Sequence, residues 1–508
     1  ALRPSEQLLA ALEEGIVDVA PGRHRQGLQV QRDVGQPAGH DLRPVGVAGA
    51  AALPAALARR GDIEARHLHR RTVLFGEQVG GRTDVAEKGG RGLLADAGLV
   101  RFPPEAPQHH LLGLDFPHVV GLAGHAQLLL LSSDAQDGFL LDRGFQVLQT
   151  AYPEARRWLD YSALDLRPFR PGALIRHAGR FHRIGDPLRR PADALPTLFS
   201  PIGTWADKLR ILRLRHRVLQ GNWSALFNRP ETSTVAALRA DGFSENIIER
   251  FFRPFLAGVF FDEHLATSSR TFEFVFRAFA SGDTALPAQG MESIPKQLAA
   301  RLPTNVLRLN TPVANVEDRV VRLVSGEQIS ASAVVVATEA GTAAQLLGDT
   351  TQPVRCPTTC LYFAAPEPPL QEPLLVLNGD GTGPLNSLLV PSVLSADYAP
   401  PGQALITVNV LGNPVQDDAV LEVQVRAQLR DWFGAGIEHW RLLRIYRIAH
   451  ALPAQLPPAP DPDGHSPQIN DWLFLCGEYR NAPSIQWALA SGRKAAQSVA
   501  KTLAAPSH

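Results

Sequence analysis

The sequence predicts an α/β protein of two interleaved parts, behind an atypical N-terminal region. One part is a layered domain on a parallel sheet, assembled from separated stretches; the other carries an antiparallel sheet and helices. Three observations point this way. Ala333-Val-Val-Val-Ala337 and Trp472-Leu-Phe-Leu-Cys476 are short, unbroken apolar runs, the pattern of strands covered on both faces. Each ends in a turn with an acid, Thr338-Glu339 and Gly477-Glu478. Between them, runs such as Leu361-Tyr-Phe-Ala364, Leu374-Leu-Val-Leu377 and Ala404-Leu-Ile-Thr-Val-Asn-Val410 suit an antiparallel sheet.

The closing forty residues hold the most specific signal. Gly477 lets the backbone turn sharply and approach a ligand, and Glu478 can accept hydrogen bonds from ligand hydroxyls. Pro483-Ser484 marks a helix start, with Ser484 as N-cap, and the helix should run to about Leu503. Its Ala488, Ala490, Ser491, Gly492 and Ala495 allow close packing. The whole string, strand, Gly-Glu, Ser484-Ile485, then Ser491-Gly-Arg-Lys-Ala-Ala496, resembles the flavin-contacting segment of the amine oxidase and phytoene desaturase superfamily of FAD-dependent oxidoreductases. The resemblance implies a Rossmann-like FAD-binding domain and a flavin-dependent oxidoreductase. It implies that Gly477 belongs to the cofactor site, that Glu478 binds the ribityl chain, and that the Ser484–Ala488 turn, with Ile485, Gln486 and Trp487, faces the isoalloxazine. Trp487 stands where relatives have a small residue, so it would narrow the site or stack beside the ring.

Taken in order, residues 1–133 are compositionally odd. The chain's 6 Tyr, 7 Trp, 3 Cys and single Met all lie beyond them, as does every Asn. This stretch is either an atypical extension or a product of the wrong frame or strand of a GC-rich gene. The resemblance places a dinucleotide fingerprint here. Its nearest match is Arg43-Pro-Val-Gly46-Val-Ala-Gly49, where Gly46 and Gly49 keep the spacing of the second and third glycines but Pro44 replaces the first. Gly80, Gly81 and Arg82 resemble the family's Gly-Gly-Arg element, though far ahead of the Asp137-Gly-Phe139 segment it should precede.

Residues 134–150 read as strand, turn, strand, the exit from the FAD domain. Residues 151–285 form the first part of a substrate domain. In it, Pro153 opens a short helix, Ala173–Arg176 and Arg180–Arg183 suit paired strands, and Ser244–Phe252 suits a helix stopped near Pro254. Asp207–Gln220 is a basic amphipathic helix. It either lies on an anionic bilayer or is a solvated face whose Arg stems cover core. Nine phenylalanines between 251 and 279 suit an apolar pocket or the core of a helical cap.

Residues 286–345 cross the FAD domain again. Ser293 caps a helix that Pro303 stops, Val306–Leu309 pairs with Val313–Val316, and a meander returns to Ala333–Ala337. By resemblance, Val313 contacts the adenine side through its backbone. Residues 346–465 form the second part of the substrate domain, with a helix near Val420–Phe433, and 466–508 close the FAD domain.

Balanced charge, 50 Lys+Arg against 50 Asp+Glu, gives no nucleic-acid footprint. Three cysteines make no disulfide framework, no metal-ligand spacing is visible, and no nucleophile elbow appears. With no signal-peptide pattern or membrane span, the expected location is cytoplasmic, with peripheral membrane contact open. None of the five lysines suggests the flavin-N5 lysine of amine oxidases, and no general base can be named. The expected activity is hydride removal from an apolar small molecule, desaturase-like or amine oxidase-like. The alternative is a non-catalytic binding protein that has lost FAD through the broken fingerprint.

Overall fold

The computed structural model describes residues 97–100, 119–124, 131–144, 146–303, 306–348, 354–459, 461–462 and 464–504. The fold is a mixture of helices and sheets arranged around two principal sheets. The first has five strands in the order Leu307–Arg308, Ala97–Val100, Val119–Gly124, Ala333–Ala337 and Leu473–Leu475. Its last three run parallel, with Val335 opposite Gly121 on one side and Phe474 on the other. The two apolar runs therefore sit next to each other because each needs cover on both faces. The closing helix, Ile485–Ala504, supplies part of that cover. Its Ala495, Ala496 and Val499 pack into one core with Val334, Val336 and Phe474.

The second sheet has seven strands. In order they are Arg441–Pro453, Arg355–Ala365, Ala404–Leu411, Leu385–Leu389, Leu375–Asn378, Gly172–His177 and Arg180–Gly185. All neighbours are antiparallel except Leu375–Asn378 with Gly172–His177. Helix Asp418–Phe433 covers one face through Leu421, Val425 and Leu429. A helical layer packs a phenylalanine-rich core, with Phe252, Phe272 and Phe274 fully buried.

Three local expectations change. Ser293 does not cap its helix: it is the first residue of helix Ser293–Ala299, and its hydroxyl donates to the Gln289 carbonyl at 3.1 Å. Val306–Leu309 does not pair with Val313–Val316. Leu307 and Arg308 join Ala97–Val100, and Val313–Glu317 pairs with Val320–Leu323 through the tight turn at Asp318-Arg319, both at positive φ. The helix at Ser244 does not stop at Pro254. A π-turn over Ile248–Phe252 passes the chain into helix Arg253–Phe260, with Pro254 in its first turn, where a missing N–H costs nothing.

Candidate active site

The site begins where two parallel strands end side by side. The Cys476 N–H donates to the Val336 carbonyl at 3.0 Å, and Thr338 and Gly477 leave the sheet together. Gly477 has φ +142°, a conformation side chains rarely take. A Cβ there would stand 2.7 Å from the Tyr479 ring and 3.1 Å from the Thr338 carbonyl oxygen. The Gly477 N–H donates to the Ser491 hydroxyl at 2.8 Å, which fastens the turn to the closing helix.

Glu478 follows and lines a large cavity. It is half-buried, and no described residue hydrogen-bonds its carboxyl. Burial pushes that carboxyl up to about 7, and nearby Glu339 adds to the rise. Glu339, the acid ending the other strand, is committed elsewhere. It caps helix Ala340–Leu346 by accepting the Gly341 and Thr342 N–H groups at 2.8 and 2.6 Å, and it pairs with Arg355 at 3.4 Å. Burial alone would raise its carboxyl; the Thr342 and Gly341 bonds and the Arg355 charge carry it below the usual range instead.

Ser484 and Ile485 line the same cavity as Glu478. The Ser484 hydroxyl accepts the Trp487 N–H at 3.3 Å, the bond expected of an N-cap. The next two residues face away. Gln486 is buried and accepts the Glu154 N–H at 2.9 Å. Trp487 is buried between Phe227 and Phe274, at centroid distances of 5.6 and 5.8 Å. Its indole stands in the aromatic core, not in the cavity wall. Val313 begins its strand buried, opposite Leu323, away from the cavity lining. Gly46, Gly49, Gly80, Gly81 and Arg82 lie outside the described residues.

The cavity holds about 870 Å³. Phe251, Phe255, Phe276 and Phe279 form one wall, so the phenylalanine run divides between pocket and core. Tyr152, Phe169, Ile294, Leu298, Leu375 and Leu377, unmarked in the sequence, also line the cavity. Ile294 and Leu298 share one helix and Leu375 and Leu377 one strand, and none of the six carries a local mark distinguishing lining from core. Lys208 also lines the cavity, but its ammonium donates to the Leu198 and Ser200 carbonyls at 2.8 Å, and burial lowers its pKa. Among the described residues no cluster could hold a metal ion.

The turn fits a polyhydroxyl ligand that carries an apolar ring. Glu478 offers an unengaged carboxyl to hydroxyls, Gly477 leaves room for close approach, and Ser484-Ile485 opens onto an apolar chamber. A hydroxyl donating to Glu478 would favour its ionised form against the burial that raises it.

Comparisons with known proteins bear on the family and the fold. The sequence model of a family described as flavin containing amine oxidoreductase matches residues 130–500. No curated protein sequence matches the chain. Among solved structures, an oxidoreductase from Methanosarcina mazei is 14% identical, with TM-score 0.55 over 73% of this chain and 91% of its own. A candidate protoporphyrinogen oxidase from Exiguobacterium sp. 255-15 is 19% identical, with TM-score 0.54 over 72% and 89%. A putrescine oxidase bound to putrescine is 14% identical, with TM-score 0.53 over 73% and 90%. At these identities the likeness is one of fold.

Proposed function

The chain belongs to the flavin containing amine oxidoreductases, whose family model matches most of its length, and we propose that it uses FAD to remove a hydride from an apolar small molecule. It is a flavin-dependent oxidoreductase. The observation carrying the finer reading is that Glu478, Ser484 and Ile485 share one cavity with Phe251, Phe255, Phe276 and Phe279. A polar grip and a dry chamber meet at a single turn.

When bound, a flavin accepts the hydride from a substrate C–H or C–N bond. The chain's own residues bind, orient and exclude water. Glu478 and the glycine turn at 477 would hold the ribityl hydroxyls, and the start of the closing helix would meet the ring system. The phenylalanine wall would strip water from an apolar substrate and hold its reacting carbon close to that ring. Lys208 is engaged by two carbonyls and offers no free amine. That favours chemistry led by the cofactor and the shape of the pocket, on polyene, porphyrinogen or amine substrates alike.

Absorbance of the purified protein, followed by an anaerobic substrate screen, tests this reading. Visible flavin bands that bleach with an apolar substrate are the expected result. A second reading rests on Pro44, which stands where the fingerprint's first glycine belongs. It makes the chain a binding protein without flavin. A colourless protein that FAD cannot reconstitute would select it.

A further inference from the structure

We propose that Gln149 and Tyr152 form a hydrogen-bonding site inside the cavity for one uncharged oxygen, so that the molecule bound there is apolar but carries a carbonyl or ether group. The two residues stand at the ends of a single turn, closed by the Tyr152 N–H donating to the Gln149 carbonyl at 3.2 Å. Both line the cavity, and both are nearly sealed from outside water, at 4% and 6% exposed.

Each side chain keeps a donor in hand. The Gln149 amide oxygen accepts the Thr284 hydroxyl at 3.1 Å, and its NH2 group has no partner among the described residues. No described residue hydrogen-bonds the Tyr152 hydroxyl either. The Tyr152 ring is held by stacking on Phe274, with centroids 5.8 Å apart and planes 8° from parallel. Burial pushes its hydroxyl above the ordinary tyrosine value, so it stays protonated and able to donate. Buried donors are seldom left unsatisfied, so two on one apolar cavity wall call for an acceptor that arrives with the ligand.

Charge sets the kind of acceptor. The cations lining the cavity are spent: Arg170 on Asp193 at 2.5 Å, Arg215 on Asp186 at 2.9 Å, Arg189 on Asp283, and Lys208 on two carbonyls. A carboxylate would therefore be buried without a counter-ion. An ammonium brings donors and no lone pair, so it leaves the Gln149 NH2 group unmet. A bare hydrocarbon leaves both donors unmet. A neutral oxygen meets them at no cost in charge.

The pair is anchored beside the turn that opens the closing helix. Two residues beyond Tyr152, the Glu154 N–H donates to Gln486 at 2.9 Å, and Arg493 bonds the Glu154 carboxylate at 2.8 Å. Phe274, under the Tyr152 ring, also meets Trp487 at 5.8 Å. The bound oxygen would thus lie near the flavin ring and fix which carbon faces it. That last step rests on the proposed function; the binding site does not.

The test titrates the purified full chain with three fluorescent probes substituted at the same ring carbon: acetylanthracene, its hydrocarbon analogue isopropylanthracene and its ammonium analogue aminoethylanthracene. Tyr152→Phe keeps the stacked ring and removes only the hydroxyl. It should weaken acetylanthracene about fivefold and leave isopropylanthracene unchanged. Gln149→Met, similar in volume, should do the same and is the second variant should the first fail to fold. The acetylanthracene emission, which moves to the red when its oxygen accepts a hydrogen bond, should shift to the blue in either variant. Failure of the wild type to bind acetylanthracene, unchanged affinity for it in both variants, or equal weakening of all three probes overturns the proposal. So does tighter binding of the ammonium probe than of the ketone. None of these readouts requires flavin or turnover, so failure here is separable from failure of the proposed function.

Discussion

Gly477 ends the closing strand so close to Thr338 that a Cβ on it would lie 3.1 Å from the Thr338 carbonyl oxygen. The positive φ and the Tyr479 ring at 2.7 Å leave no room for relief on either side. Gly477→Val should therefore cost about 1–3 kcal/mol in stability and displace the Glu478 turn. Calorimetry and flavin content measured together check this. A variant with normal stability and full flavin would separate the glycine from the cofactor.

Glu478 gives a pH dependence with a definite sign. Its carboxyl is raised from the ordinary 4.5 to about 7, chiefly by burial. A raised acid keeps its proton in the fold while the unfolded chain has already lost one. Without cofactor, the stability cost appears as pH rises above 4.5 and is complete just above 7, reaching up to about 3 kcal/mol. Glu478→Gln should be more stable than wild type at pH 8 and equal to it at pH 4, in urea unfolding at both. Flavin should bind wild type more tightly at pH 8 than at pH 6, because hydroxyl donors prefer the carboxylate. A pH-independent affinity would remove Glu478 from the cofactor's grip.

Arg493 anchors the closing helix to helix Pro153–Trp158 through Glu154, at 2.8 Å to one carboxylate oxygen and 3.2 Å to the other. The Trp158 indole N–H also donates to Glu154, at 3.0 Å. Arg493→Met would leave the mostly buried Glu154 without its cation. A loss of about 2–3 kcal/mol is expected in chemical denaturation. The Arg493→Met, Glu154→Gln double variant should recover part of it.

The N-terminal composition makes its own prediction. The family match begins at residue 130, and every Tyr, Trp, Asn and Cys of the chain lies beyond residue 133, the first of them Tyr152. An out-of-frame origin requires that peptide mass spectrometry of the natural protein recover residues beyond 133 and none before it. Confident peptides from 1–133 would establish an atypical extension instead.

The closing strand, turn and helix were legible because each signal is local: an apolar run, a glycine before an acid, a serine that caps. The cavity was not, because Tyr152, Phe255, Ile294 and Leu377 reach it from four separate elements. Each sits in a pattern that core residues share. Which face of Trp205–Leu219 turns outward was not legible for a similar reason. Helical periodicity finds two faces, but only the ion pairs of Arg215 and Arg217 decide which of them turns inward. The Leu307–Arg308 pairing depended on a partner strand at Ala97–Val100, in a region whose composition concealed it.

Trp487 shows how a neighbour of the site in sequence can be a core residue in space. It follows Ile485 by two positions, and that rotation turns its side chain from the cavity toward Phe227 and Phe274. Its indole N–H has no hydrogen-bond partner among the described residues, so its contribution there is packing. Trp487→Phe should cost less than Trp487→Ala, which should lose about 3–5 kcal/mol by opening a hole among aromatic rings. The flavin spectrum of folded Trp487→Phe should match wild type, since the ring does not reach the cavity wall. A shifted flavin absorbance in that variant would put the indole against the isoalloxazine and reverse this assignment.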